Sequence, residues 1–107
     1  MRDVALIIEQ DGGVLTLTNN DAPINRMTFE YMDQVEAAVD EAADDPSVRV
    51  LVFTAMGDKN FSVGMDLKQL MSVQGEAGGV NRVLDQRRRV LGRIENMGKP
   101  SIATLFG

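Results

Sequence analysis

The run Val48 to Thr54 constrains this chain more than any other stretch, because Val48, Val50, Leu51, Val52 and Phe53 form an apolar, largely β-branched segment interrupted only by Arg49. It is short for a helix and lacks the polar alternation of a half-exposed strand. It therefore reads as a buried strand. It leads into Met56-Gly57-Asp58-Lys59-Asn60-Phe61-Ser62-Val63-Gly64-Met65-Asp66, and helical spacing resumes at Leu67. The segment is a strand-to-helix crossing, the place where open α/β sheets collect their binding residues. Gly64 can adopt a backbone conformation closed to other residues, and the amides of Met65, Asp66 and Leu67 are expected at a helix start without intrahelical acceptors. Such amides can serve a negative oxygen. Equally, Asp66 can act as an ordinary helix N-cap.

The rest of the chain builds around that strand. Val4–Glu9 and Val14–Thr18 are β-prone runs joined across Gln10-Asp11-Gly12-Gly13, a hairpin pattern. A polar loop broken by Pro23 follows, and Thr28 is placed to cap a helix beginning at Phe29. Phe29, Met32, Val35, Val39 and Ala42 recur at helical spacing, and Asp44-Asp45-Pro46 ends the pattern. After the crossing come a short helix from Leu67 to Val73 and a glycine-bearing loop, Gln74–Gly79, expected to be mobile. Val80, Val83, Leu84, Val90, Leu91 and Ile94 then mark a long helix stopped by Gly98, and Ser101–Phe106 reads as a last strand. The order β-β-α-β-α-α-β predicts an α/β layer structure whose helix-separated strands are parallel.

Composition narrows the function. The 107 residues are 44% hydrophobic and 25% charged, which fits one globular domain at most. A net charge of −5 argues against a nucleic-acid binder, and no apolar run is long enough to span a membrane. The amino end, Met1-Arg2-Asp3, lacks a leader pattern, which leads to an expected cytoplasmic location. Cysteine and histidine are both absent, so disulfides, Cys-ligated zinc and a His-based triad are excluded within these residues. Neither G-x-G-x-x-G nor G-x-x-x-x-G-K-[ST] appears, which lowers a nucleotide-binding α/β reading.

Residue order adds a more specific indication. Phe61-Ser62-Val63-Gly64-Met65-Asp66-Leu67 resembles the Phe-x-x-Gly-x-Asp-Leu/Ile segment of the crotonase family, the enoyl-CoA hydratases and isomerases. Asn25-Arg26-Met27-Thr28 resembles that family's Asn-Ala-Leu/Met-Ser/Thr segment, with Arg26 in place of the usual alanine. Lys99-Pro100-Ser101-Ile102-Ala103 resembles its Lys-Pro-x-Ile-Ala. The resemblance implies a crotonase-like ββα spiral, of which residues 1–107 are the amino-terminal portion. It implies an acyl-CoA substrate, no cofactor beyond the CoA carried by that substrate, no metal, and a trimer or hexamer in the complete form.

By position, the resemblance makes the Met65 amide one of two oxyanion donors, aimed by Gly64. Substrate or CoA contact falls to Arg26, Ser62, Val63, Met65, Asp66, Leu67 and Lys68. Arg26 either points to solvent or offers its charge to a CoA phosphate. Lys68 has the same two options. The glycine-rich second donor segment and the acidic residues that move protons in the hydratases lie beyond Gly107. The resemblance thus covers about two fifths of such an enzyme, and the isolated chain is expected to be inactive and marginally folded. The competing reading is a small CoA-binding or structural module in which Gly64 and Asp66 only shape a loop. Arg87-Arg88-Arg89, with Arg82 and Arg93, point in different directions on their helix and read as a solvated face. Met27, Met65 and Met71 suit either an apolar acyl tail or core filling.

Overall fold

The computed structural model describes residues 4–106, so the amino end Met1-Arg2-Asp3 and the cut of the last strand at Gly107 lie outside the described residues. In chain order the elements are β1 (Leu6–Asp11), β2 (Val14–Asn19), β3 (Arg26–Met27), α1 (Phe29–Ala43) and β4 (Val50–Ala55). They continue with β5 (Gly64–Met65), α2 (Leu67–Ser72), α3 (Gly79–Asn96) and β6 (Ser101–Ala103). The first two strands form the expected antiparallel hairpin, with Leu6 opposite Asn19 and Asp11 opposite Val14. On its other side β2 takes β4 in parallel, Leu17 opposite Phe53, and β4 in turn takes β6 in parallel. The sheet order is therefore β1-β2-β4-β6, with β3 and β5 forming a separate two-stranded ladder.

Leu17 and Leu51, on neighbouring parallel strands, are wholly buried and lie at the centre of the core. Helix α1 covers them. Thr28 starts it as expected, its Oγ1 accepting the Tyr31 amide at 3.0 Å. The buried stripe is broader than Phe29, Met32, Val35, Val39 and Ala42: Tyr31 and Ala38 are also buried, whereas Phe29 is half-exposed. At the far end, the Lys99 ammonium donates to the carbonyls of Ala42 and Asp45, the latter at 2.7 Å. A cation at the carbonyl end of a helix is favoured by the helix dipole, which gives Lys99 a structural function.

Several boundaries differ from the sequence expectation, beginning with β1, which runs Leu6–Asp11 rather than Val4–Glu9. Strand β4 starts at Val50 because Val48 N–H bonds Asp45 O at 3.1 Å in the turn after α1, and Arg49 N–H bonds Gly13 O at 2.7 Å. Helix α2 stops at Ser72, one residue early. Strand β6 ends at Ala103 rather than Phe106, although Thr104 N–H still bonds Phe53 O at 3.0 Å. As the sheet's edge, β6 is exposed along its length.

Helix α3 also differs. Of its six apolar positions only Val90 is buried, and Leu91 is 63% exposed. Its contact with α1 is largely polar: Arg89 pairs with Glu36, Arg93 with Asp40 and Asp44, and Gln86 donates to Asp33 at 2.7 Å and to Glu36 at 3.1 Å. Exposed pairs of this kind each contribute little, so the buried sheet–α1 interface dominates stability. Leu51→Ala should therefore destabilise the protein by about 3 kcal/mol, while Leu91→Ala should change it by less than about 0.5 kcal/mol. Chemical denaturation of the two variants measures this, and comparable losses would contradict the assignment of the core.

Candidate functional site

The site begins with a side chain that the sequence motif contained but did not explain. Asn25 is fully buried and has φ +52°, a left-handed conformation that asparagine tolerates better than most residues. Its Nδ2 donates to Met56 O at 2.9 Å and Asn60 O at 2.6 Å, so one amide group holds the crossing after β4 at two points. Its Oδ1 accepts the Asp21 amide at 3.2 Å, and its own carbonyl accepts from Asn19 Nδ2, also at 3.2 Å. The loop before α1 and the crossing before α2 are thereby tied together. Val63 N–H adds a bond to Ile24 O at 3.1 Å, and Asn60 Nδ2 donates to Pro23 O at 3.0 Å.

This clamp brings β3 and β5 into a parallel ladder, Arg26 opposite Gly64 and Met27 opposite Met65. Met65 accordingly lies in a short strand, not at the helix start expected from sequence. Gly64 has φ +91°, and a Cβ there would meet no atom within 4 Å, so its requirement for glycine is conformational rather than steric. The Gly64 amide turns to Ser62 Oγ at 2.9 Å.

Asp66 is the N-cap of α2, its Oδ1 accepting from Lys68 N at 3.0 Å and Gln69 N at 3.4 Å. Gln69 links the two helix starts, its Oε1 accepting the Phe29 amide at 2.6 Å.

Arg26 is engaged within the chain. Its Nε and Nη2 form a fork on the Asp21 carboxylate at 2.8 and 3.1 Å, and Nη1 lies 3.4 Å from Asp66 Oδ2. The guanidinium holds the Asp21 carboxyl below the usual carboxylate range, and Asp21 in return raises the Arg26 pKa. Of the two orientations open from sequence, neither describes Arg26 fully: it is half-exposed yet committed to two carboxylates. Together Arg26, Val63, Met65, Asp66, Leu67 and Lys68 line an open concavity of about 480 Å³. Six of the seven residues singled out for substrate contact thus lie on one surface, and the seventh, Ser62, supports Gly64 from behind.

The comparison that decides the family spans most of the chain: residues 12–107 match the family model described as enoyl-CoA hydratase/isomerase. The chain belongs to the enoyl-CoA hydratase/isomerase family. Relatives include the short-chain-enoyl-CoA hydratase of Clostridium acetobutylicum, 26% identical over 106 residues, and the crotonyl-CoA hydratase of Syntrophomonas wolfei, 29% identical over 103. Each alignment takes in 95% of this chain and 39% of the relative, so the chain spans about two fifths of their length. Among solved structures, an enoyl-CoA hydratase/isomerase from Xanthobacter autotrophicus Py2 superposes with a TM-score of 0.84 at 27% identity, over 96% of this chain and 39% of that one. The crotonase fold expected from the motifs is the fold observed.

Sequence reasoning did not anticipate the β3–β5 ladder, the function of Asn25 or the Asp21–Arg26–Asp66 chain of charges. Two-residue strands carry too little periodicity to read, and an asparagine before a helix start is more often a cap than a buried clamp. Asn25→Asp keeps the size but exchanges the donating amide for a carboxylate facing two carbonyls. It should cost about 3 kcal/mol and collapse the site's geometry. Urea unfolding of the variant checks the first expectation, and a loss below about 1 kcal/mol would show that the clamp carries little of the fold.

Proposed function

We propose that this chain supplies the thioester-binding part of an acyl-CoA enzyme of the hydratase/isomerase class, forming the amino-terminal portion of a single crotonase-like domain. The observation that carries the reading is Gly64 at φ +91° between the Asn25-clamped crossing and the Asp66 cap, on the rim of the concavity. In this reading the Met65 amide is one of two backbone donors that hold the thioester oxygen as negative charge develops on it. Val63 and Leu67, both exposed and apolar, flank the bound group, and Lys68 and Arg26 meet the CoA phosphates. CoA belongs to the substrate and no further cofactor is required. A cytoplasmic enzyme assembling as a trimer or hexamer is the context proposed for it.

Electrostatics explains why a backbone amide suits this work. A donor fixed by the fold does not reorganise as the enolate forms, and each such donor supplies on the order of 3 kcal/mol of transition-state stabilisation. A single donor is a weak catalyst, so activity in this reading needs a second donor and a proton-transferring acid from residues beyond this chain. Arg26 favours the alternative of a small CoA-binding or structural module on one point: its charge is already met by Asp21 and Asp66. An arginine so held can still contribute a remaining hydrogen to a phosphate, which makes Lys68 the stronger phosphate contact of the two.

In the complete enzyme, Gly64→Val should lower kcat/KM for a short enoyl-CoA by at least about a hundredfold, the loss associated with one misdirected oxyanion donor. Gly75→Ala, at a glycine with open space around it and no positive φ, should leave turnover unchanged. Steady-state hydration kinetics on both variants provide the test. Equal losses, or an unaffected Gly64→Val enzyme, would remove the Met65 donor from the mechanism.

A further inference from the structure

The peptide that carries the Met65 amide is held by its two neighbours, and Arg26 reaches both of them. On one side Gly64 stands opposite Arg26 in the β3–β5 ladder. On the other, Asp66 Oδ2 lies 3.4 Å from Arg26 Nη1, while the Oδ1 of the same carboxylate caps α2 by accepting from Lys68 N and Gln69 N. The Asp66 side chain is only 11% exposed, so water weakens its pairing with a cation less than it would on the open surface.

Arg26 is itself fixed before it reaches Asp66. Asp21 Oδ2 accepts both the Arg26 amide at 2.9 Å and Nε at 2.8 Å, and Asp21 Oδ1 accepts Nη2 at 3.1 Å. One carboxylate thus holds the backbone and the guanidinium plane of a single residue, which restricts the side chain at both ends and directs Nη1. Asp21 is tied in turn to the buried clamp, its amide donating to Asn25 Oδ1 at 3.2 Å. A continuous chain of bonds therefore runs from Asn25 through Asp21 and Arg26 to the start of α2. Its last link passes across Met65.

We propose that Arg26 is a positioning residue for the thioester reaction: its backbone on one side of Met65 and its guanidinium on the other bracket the Met65 amide and keep it aimed. The inference rests on the thioester-site reading and gives Arg26 a function separate from any phosphate contact. Arg26 is half-exposed, so the bracket contributes little to overall stability. Its effect is on direction, where a displacement on the order of 1 Å can cost about a hundredfold in rate.

In the complete enzyme, two substrates separate these functions: a short enoyl-CoA, and the same enoyl thioester of N-acetylcysteamine, which lacks the nucleotide phosphates. Arg26→Ala should lower kcat about tenfold on both, and any rise in KM confined to the CoA substrate measures the phosphate contact. Arg26→Lys restores a charge for the phosphate but cannot fork Asp21 and reach Asp66 together, so its kcat should stay low. Asp66→Asn keeps the cap and loses the ion pair, so it should lower kcat alike, and adding Arg26→Ala to it should lower kcat no further. An unchanged kcat in Arg26→Ala, a loss seen with the CoA substrate alone, recovery of kcat in Arg26→Lys, or losses that multiply in the double variant would each overturn the proposal. Should Arg26→Ala fail to fold, Arg26→Lys and Asp66→Asn decide. Gly64→Val keeps the two readings apart. Full turnover in that variant removes the thioester-site reading and this inference with it, whereas a Gly64→Val loss beside an unimpaired Arg26→Ala enzyme removes this inference alone.

Discussion

One buried side-chain amide holds the candidate site together. Asn25 joins two segments that are more than thirty residues apart in sequence, and it does so with both hydrogens and both oxygens engaged. A buried polar group costs several kcal/mol when unpaired and stabilises when every bond is made, so such a clamp favours one arrangement of the two loops over its neighbours. With the crossing fixed by Asn25, the β3–β5 ladder can form although each strand is only two residues long, a length that would not persist alone.

Beneath that clamp lies a division of labour between two kinds of packing. The parallel strands β2 and β4 and the buried stripe of α1 form an apolar core around Leu17 and Leu51. Helix α3 joins it by one buried valine and a row of ion pairs, and β6 closes the sheet as an exposed edge. The site occupies the well-anchored end. Its two loops leave β2 and β4 at adjacent positions of a parallel pair, Asn19 opposite Ala55, so a rigid part of the sheet sets the distance between them.

Much of this architecture was legible in the sequence because it rests on period and punctuation. The hairpin, the Thr28 cap, the Asp66 cap and the parallel β2–β4 pairing follow from alternating or helical apolar spacing and from local turn chemistry, which act over a few residues. What escaped depends on contacts across long separations. Helical spacing marked Leu91 as apolar-facing, yet spacing cannot say whether a face finds cover, and Leu91 is mostly exposed. The arginine run read as a solvated face, correctly for Arg88, but Arg87 turns inward to a backbone carbonyl on β3, a partner sixty residues away. Arg26 was legible as an unusual substitution in a motif, and only the fold could show Asp21 and Asp66 converging on it.

In the proposed function, the Asn25 clamp and the left-handed Gly64 aim one backbone amide at a thioester. A structure of the complete enzyme with a bound, unreactive CoA thioester measures this directly. The expected result is Met65 N at about 3 Å from the thioester oxygen, with Gly64 still left-handed and Asn25 still bonded to both Met56 and Asn60. A complex in which the Met65 amide donates to the Arg26 carbonyl across the ladder, and the thioester lies elsewhere, would contradict it.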